Sequence, residues 1–237
     1  MGLTGKVALI TGAGRGIGRC IALTLARAGA DLAITSRTAS QLEGVASEVK
    51  TLGREVLAIS ADISKEGEVS RFVEKTLGRF GKIDILVNNA ATFGGASVVD
   101  MRTEDWDRII GTNLRGTFLM TRAVLPSMIG RGEGTIVMVS STSSKRADPG
   151  ASAYAASKFG MMGFAMSLLY EVRRHNIRVV VVSPSAVDTR PLPLERIPAG
   201  GPGAPLRAED IAETVLYMVS LPPRALVREV EVWATNP

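Results

Sequence analysis

Short apolar segments alternate with longer segments of helical periodicity along almost the whole chain. The short segments are rich in Val, Ile and Leu, as in Arg178-Val-Val-Val-Val182, and lack the polar alternation of a half-exposed strand. We predict strands at residues 6–10, 32–35, 56–60, 83–87, 134–140, 177–182 and 229–233. We predict helices at residues 17–28, 39–52, 65–80, 103–129, 152–174 and 208–220. Successive right-handed crossovers make such a sheet parallel, so the sequence predicts an α/β fold with one doubly wound parallel sheet and helices on both faces.

The size and composition of the chain fit one globular domain. Its 237 residues are 46% hydrophobic and 22% charged, and no apolar run approaches the roughly 18 residues that span a membrane. Residues 190–206 are rich in Pro and Gly and follow the carboxyl end of a predicted strand, where open sheets bind ligands. We predict a single domain over residues 1–237, with this stretch as a substrate lid.

Residue counts argue against several classes of protein. One Cys and one His exclude an internal disulfide and leave too few soft ligands for a zinc site, so we predict no metal. The net charge is +5, but the basic residues are dispersed and aromatic residues make up only 5%, so we expect no nucleic-acid partner. The first residues offer no signal-peptide core, which predicts a cytoplasmic protein without membrane association.

A glycine-rich turn follows the first predicted strand. It reads Thr11-Gly-Ala-Gly-Arg-Gly-Ile-Gly18 and leads directly into a helix. Glycines let the main chain turn tightly and approach a pyrophosphate, and the helix N-terminus offers free N–H groups to that anion. In the first strand-helix unit of a doubly wound sheet, this arrangement predicts a Rossmann-type dinucleotide site. The expected contacts from the turn are Gly12, Arg15, Gly16, Ile17 and Gly18.

The end of the second predicted strand indicates which dinucleotide is bound. An NAD site commonly has an acidic residue there, whereas an arginine can hold the 2′-phosphate of NADP(H). This strand ends in Ile34-Thr-Ser-Arg-Thr38 without an acid, and Asp31 lies at its other end. We therefore predict NADP(H), with Ser36 and Arg37 joining Arg15 around the phosphate.

Tyr154 and Lys158 lie four residues apart in a predicted helix, which places them on one face and one turn apart. A free tyrosine has a pKa of about 10, and a nearby ammonium lowers that value by roughly 1 to 3 units. We therefore expect Lys158 to lower the pKa of Tyr154 for proton transfer. Upstream, Ser140 and Ser141 end an apolar strand.

With these motifs the sequence resembles the short-chain dehydrogenase/reductase family over nearly its whole length, and most closely the pattern of 3-oxoacyl-thioester reductases. In that family the catalytic serine precedes the tyrosine by thirteen residues, which selects Ser141. The motifs that carry the resemblance are the turn at residues 11–18, Asp62-Ile63, Asn88-Asn-Ala-Ala91, Asn113, Ser141, Tyr154, Lys158 and residues 184–189.

The resemblance implies a role for each matching residue. Tyr154 would supply a proton to the developing alkoxide, Ser141 would hydrogen-bond the carbonyl oxygen, and Lys158 would hold the nicotinamide ribose. Asn113 would position a water that links Lys158 to solvent. The implied cofactor contacts are Asp62, Ile63, Asn89, Ala90, Tyr154, Lys158, Pro184, Val187 and Thr189.

The sequence departs from the family pattern at three places. Ala91 and Ser185 each stand where glycine is usual, and Trp233-Ala-Thr-Asn-Pro237 replaces a common Asp-Gly-Gly tail. These changes remove no catalytic group, but they bear on the nicotinamide pocket and on subunit contacts. The family is often tetrameric, and small and apolar residues on the Tyr154 helix lead us to expect a homodimer or homotetramer.

These inferences predict an NADPH-dependent carbonyl reductase that acts on a small-molecule carbonyl or alcohol, with a 3-oxoacyl thioester as the leading substrate. Two alternatives stay open: a polyol, sugar or other secondary-alcohol dehydrogenase, and a catalytically silent NADP(H)-binding regulatory protein. Lys145, Arg146, Arg190 and Arg196 are consistent with an acyl thioester on an acidic carrier, or with an ordinary solvated basic rim.

Overall fold

The sheet that the strand-helix alternation predicts is present in the computed structural model, which describes residues 2–189 and 204–235. Seven parallel strands form it in the order β3-β2-β1-β4-β5-β6-β9. Their bounds are β1 Val7–Thr11, β2 Asp31–Ser36, β3 Val56–Ser60, β4 Ile85–Asn88, β5 Gly134–Val139, β6 Ile177–Pro184 and β9 Glu229–Val232. A separate pair, β7 Val187–Asp188 and β8 Leu206–Arg207, was not predicted.

Helices cover both faces of this sheet. Their bounds are α1 Gly16–Arg27, α2 Ala39–Thr51, α3 Glu66–Phe80, α4 Thr103–Ile110, α5 Gly116–Arg131, α6 Ser152–Val172 and α7 Ala208–Ser220. Single 3₁₀ turns occur at Thr142–Ser144 and Arg173–His175. Among the described residues, no helix is both long and apolar enough to cross a membrane.

The continuous apolar strands are explained by two separate cores, one on each face. Val180 and Val182 of β6 pack into one core, and Val179 and Val181 of the same strand pack into the other. Central strands such as β1, β5 and β6 must therefore be almost continuously apolar, which is why they lack period-two alternation, whereas the edge strand β9 alternates Glu and Val. The sheet reverses its winding direction between β1 and β4, so a crevice is expected at their carboxyl ends.

The prediction of one long helix over residues 103–129 is wrong in one respect, because a π turn at Gly111–Arg115 divides this segment into α4 and α5. Asn113 lies inside this turn and is completely buried, and its carbonyl accepts a hydrogen bond of 2.8 Å from the Thr117 hydroxyl. One extra residue in a single turn barely changes a helical pattern, so periodicity did not reveal it.

The lid predicted at residues 190–206 falls almost entirely outside the described residues. Only its last three residues, 204–206, are described, and Leu206 begins β8. The basic residues Arg190 and Arg196 of that stretch are likewise outside the described part of the chain.

Candidate active site

The glycine turn between β1 and α1 has a conformation that requires its glycines. Gly12 has φ +67° and Gly16 has φ +55°, a region that residues with a Cβ rarely adopt. A Cβ at Gly18 would lie 2.2 Å from the carbonyl oxygen of Gly12 and 2.4 Å from Nδ2 of Asn89. Gly18 therefore allows α1 to begin directly against the turn.

The side chain of Asn89 fastens this turn to the end of β4. Its Nδ2 donates to the carbonyls of Thr11 and Gly12 at 3.0 and 3.2 Å. In return, the Thr11 hydroxyl accepts hydrogen bonds from the main-chain N–H groups of Asn89 and Ala90, each at 3.0 Å. The resemblance implied that Asn89 contacts the cofactor, and the structure adds that Asn89 shapes the turn itself.

A cavity of about 820 Å³ lies at the carboxyl ends of β1, β2 and β4. Among the expected cofactor contacts, it is lined by Gly12, Arg15, Gly16, Ile17, Gly18, Ser36, Arg37, Asp62, Ile63, Asn89, Ala90 and Thr189. Four other expected contacts, Pro184, Val187, Tyr154 and Lys158, do not line it. The sequence analysis missed Gly14, Thr38, Gln41, Ala61, Ala91, Thr92, Phe93 and Thr112 as lining residues.

The end of this cavity beside β2 is polar and basic. Arg15, Ser36, Arg37 and Gln41 line it, and a Cβ at Gly14 would lie 2.9 Å from the Ser36 hydroxyl, so a side chain there would displace that hydroxyl. The cavity also has one carboxylate, Asp62. Burial raises its pKa, but hydrogen bonds from Ser64 and the positive charge of Arg37 outweigh burial and hold the pKa below its ordinary value.

The side chains predicted to be catalytic meet at the carboxyl end of β5. Ser141 is the second residue after this strand, and its side chain is hydrogen-bonded to that of Tyr154, on the first turn of α6. Nζ of Lys158, one turn further along α6, donates 2.9 Å to the carbonyl of Val139 and lies 5.6 Å from the centroid of the Tyr154 ring. Among the described residues, no cluster of three His, Cys, Asp or Glu side chains could hold a metal ion.

The expected effect of Lys158 on the pKa of Tyr154 does not occur in this structure. Burial raises the pKa of the tyrosine above its ordinary value, and the hydrogen bond with Ser141 opposes that shift. Lys158 is only 1% exposed, and this burial lowers its own pKa to about 8. Burial is thus the main cause of both shifts, and Tyr154 holds its proton at neutral pH.

The side chain of Asn113 is hydrogen-bonded to the loop after β4, and the water relay that the resemblance implied stays a prediction. Its Oδ1 accepts from the main-chain N–H of Thr92 at 2.7 Å, and its Nδ2 donates to the Thr92 carbonyl at 3.0 Å. The same Nδ2 lies 3.0 Å from the hydroxyl of Ser157. Every polar group of this carboxamide is thereby engaged with protein, so the side chain holds the loop after β4 in place.

Phe93 is a candidate site residue that sequence reasoning missed. It lines the cavity, and its ring packs edge-on against that of Tyr154 at a centroid distance of 5.2 Å. Phe93 is nevertheless 67% exposed. An aromatic residue next to the Asn88-Asn-Ala-Ala91 motif is the only signal in the sequence that could have indicated it.

The basic rim suggested by Lys145 and Arg146 is not free in this structure. Lys145 pairs with Glu229 and Glu231, and Arg146 lies over the ring of Trp233. Intramolecular contacts therefore occupy both side chains, and neither supports an acidic carrier as a partner.

Comparison with known proteins agrees with this geometry. Residues 6–193 match the family model described as short chain dehydrogenase. The chain is 36% identical over 230 residues to the 3-oxoacyl-[acyl-carrier-protein] reductase of Thermotoga maritima, covering 93% of this chain and 92% of that protein. It is also 42% identical over 188 residues to an oxidoreductase of Escherichia coli, covering 79% and 71% of the two chains.

Solved structures resemble the fold closely. A short-chain oxidoreductase of metagenomic origin, in complex with NADP, superposes with a TM-score of 0.87 at 32% identity, covering 99% of both chains. An alcohol dehydrogenase of Thermococcus sibiricus, complexed with 5-hydroxy-NADP, superposes with a TM-score of 0.88 at 31% identity, covering 98% of this chain and 97% of the other. The chain belongs to the short chain dehydrogenase family of nicotinamide-dependent oxidoreductases.

Proposed function

We propose that this protein is an NADPH-dependent carbonyl reductase that transfers hydride between the nicotinamide and a ketone or secondary alcohol, with a 3-oxoacyl thioester as the leading substrate. The observation that carries the proposal is the cluster of Ser141, Tyr154 and Lys158 beside a cavity shaped by glycines. The similarity to a 3-oxoacyl-[acyl-carrier-protein] reductase supports the substrate class.

The residues of the cavity fit NADP(H). The turn at Gly12 and Gly18 leaves no room for a Cβ, and the N-terminal N–H groups of α1 are suited to a pyrophosphate. Beside β2, Arg15, Ser36 and Arg37 would hold the 2′-phosphate. Asp62 is the one carboxylate among the described residues that line the cavity, and it is already hydrogen-bonded by Ser64 and faced by Arg37. The complexes of two similar structures with NADP and 5-hydroxy-NADP support this assignment.

In the proposed mechanism, Tyr154 donates the proton. NADPH, when bound, supplies the hydride that reduces the carbonyl carbon. The raised pKa of Tyr154 keeps its hydroxyl protonated at neutral pH, as a proton donor to the developing alkoxide requires. Ser141 orients the carbonyl oxygen through a second hydrogen bond and stabilises its growing charge.

Lys158 and Asn113 would support the proton transfer from Tyr154 without donating a proton themselves. Lys158 would hold the nicotinamide ribose beside Tyr154, whose ring centroid lies 5.6 Å from its Nζ. Asn113 fixes Thr92, and with it the neighbouring Phe93 that packs on the tyrosine ring. In this proposal Ser141, Tyr154 and Lys158 are catalytic, and Asn113 is a positioning residue.

We further propose that the protein assembles as a homodimer or homotetramer. Phe118 of α5, together with Phe159, Met166 and Tyr170 of α6, exposes apolar surface on neighbouring helices. Met161 of α6 is not part of this surface, because it is buried in the chain's own core. Light scattering coupled to size-exclusion chromatography would measure the state directly.

The proposed function is tested by following the absorbance of the reduced nicotinamide, with NADPH and NADH in parallel. The substrates are an acetoacetyl thioester and a panel of ketones and sugars, and Tyr154→Phe is the control. We expect turnover of the thioester with NADPH and loss of turnover in the variant, which should still bind NADPH. Turnover of a ketone or sugar alone would overturn the thioester assignment, and activity retained in Tyr154→Phe would overturn the mechanism.

A further inference from the structure

Strand β9 contacts the loop that follows the catalytic serine. Nζ of Lys145 lies 2.6 Å from a carboxylate oxygen of Glu229 and 2.5 Å from one of Glu231. The hydrogen bonds to the two carboxylates, first that to Glu229, raise the pKa of Lys145. One cation thus bridges two acidic side chains on the same strand.

The next residue of the loop makes a second, chemically different contact. The guanidinium carbon of Arg146 lies 4.6 Å from the centroid of the Trp233 ring, within the range of a cation–π interaction. Nε1 of Trp233 in turn donates 3.0 Å to Glu231, the same residue that pairs with Lys145. We call the five residues Lys145, Arg146, Glu229, Glu231 and Trp233 the C-terminal latch.

The latch is connected to Ser141 through a single 3₁₀ turn. The N–H of Ser143 donates to the Ser141 hydroxyl at 3.1 Å, and the N–H of Ser144 donates to the Ser141 carbonyl at 2.9 Å. The N–H of Lys145 then donates to the carbonyl of Thr142 at 3.1 Å. A displacement of Lys145 would therefore be transmitted over one turn to the serine.

The other half of the latch is fixed to the sheet. Strand β9 pairs in parallel register with β6, with Glu229 opposite Val181 and Glu231 opposite Ser183. Strand β6 pairs in turn with β5, the strand that ends just before Ser141. The latch thus connects the loop after Ser141 to the central sheet, and the strands of this sheet extend from β9 through β6 to β5 beside the site.

We propose that the C-terminal latch positions Ser141 against Tyr154, so that Lys145, Arg146 and Trp233 are positioning residues for carbonyl reduction. This inference rests on the proposed function. None of the five residues lines the cavity, so the latch should act on the reaction step and not on cofactor binding. It also gives a role to Trp233, in the tail where the sequence departs from its family.

The first test combines kinetics with hydrogen exchange on Trp233→Ala and Arg146→Ala. Because positioning is lost while the catalytic groups remain, we expect kcat to fall by about 3- to 10-fold in each, with the Kd for NADPH unchanged. Amide exchange in residues 142–151 should accelerate. Arg146 is exposed, so its removal leaves the core intact. Trp233→Phe, which keeps an aromatic face, should restore most of kcat.

The second test probes the ion pairs. Lys145→Ala should lower kcat as the Trp233 variant does, and Lys145→Arg should restore it. Because the Lys145 side chain is 48% exposed, salt at about 0.5 M should weaken its pairs and lower the wild-type kcat more than that of Lys145→Ala. The matched control is Arg79→Ala, which breaks an exposed pair with Glu55 on another part of the surface.

The latch is contradicted if both Trp233→Ala and Arg146→Ala match Arg79→Ala in kcat and in exchange of residues 142–151. A rise in the Kd for NADPH with kcat unchanged would also overturn it. If the wild-type protein turns over none of the substrates offered, the proposed function fails. The exchange experiment still decides whether the latch holds the serine loop.

Discussion

The carboxamide of Asn113 makes two hydrogen bonds with the main chain of Thr92. Its Oδ1 accepts from the Thr92 N–H at 2.7 Å, and its Nδ2 donates to the Thr92 carbonyl at 3.0 Å. The two residues belong to different elements, the π turn and the loop after β4. This pair of bonds fixes the segment that places Phe93 over Tyr154. The loop thereby becomes part of the candidate active site through the ring of Phe93.

We predict that Asn113→Ala lowers the free energy of unfolding by about 2 to 4 kcal/mol, because two main-chain groups of Thr92 lose their buried partner. Chemical denaturation measures the change. Ser157→Ala is the control, since it removes the hydrogen bond between Asn113 and Ser157 and leaves both bonds to Thr92 intact. If the free energy of unfolding falls equally in the two variants, the hydrogen bonds to Thr92 contribute nothing of their own.

Phe93→Ala should lower kcat/KM for ketones with an aromatic or long apolar substituent by about 3- to 10-fold, since an aromatic contact is worth roughly 0.5 to 1.5 kcal/mol. Small polar ketones should be affected less, because they offer little surface to the ring. The measurement is kcat/KM for both kinds of ketone. Val99→Ala, at a fully exposed position in the same loop, should change neither. If kcat/KM falls equally for both kinds of ketone, Phe93 holds Tyr154 in place and does not select the substrate.

Lys158→Met should abolish activity and yet raise stability at neutral pH by about 1 to 3 kcal/mol. The pKa of Lys158 falls from 10.5 to about 8 on folding, so burial of the charged form destabilises the native state at every pH below 8. Between pH 8 and 10.5 the unfolded chain binds more protons than the folded one, so the stability of the wild-type protein rises with pH.

The measurement is the free energy of unfolding of wild type and Lys158→Met at several pH values. The advantage of the variant should shrink over this interval and vanish near pH 10.5. An advantage of the same size at pH 7 and pH 10.5 would mean that packing, and not charge burial, accounts for it.

Arg37→Asp should weaken NADPH binding by about 10- to 100-fold and shift the preference toward NADH, because it replaces the cation that we propose holds the 2′-phosphate with an anion. Titration of both cofactors gives the ratio of their Kd values. Arg71→Asp makes the same change of charge on an exposed face of α3, outside the cavity. If both variants alter the ratio equally, net charge is responsible and Arg37 does not belong to the phosphate site.

The sequence by itself determined the fold class and most of the cavity. Strands that are apolar at every position require cover on both faces, and this local requirement suffices to predict a parallel sheet. The glycines of the first turn were equally predictable from their spacing after a strand. The structure gives the reason for each: a positive φ at residues 12 and 16, and no space for a Cβ at residue 18. The residues around β2 followed from their position at a strand end.

Only the tertiary structure decided the partners of side chains far apart in sequence. Asn113 and Thr92 are separated by 21 residues, and Lys145 and Glu231 by 86. No periodicity records such pairs, because they depend on how loops from different strands pack at one edge of the sheet. The pKa values of Tyr154 and Lys158 also required the structure, since both are shifted chiefly by burial, which sequence spacing does not specify.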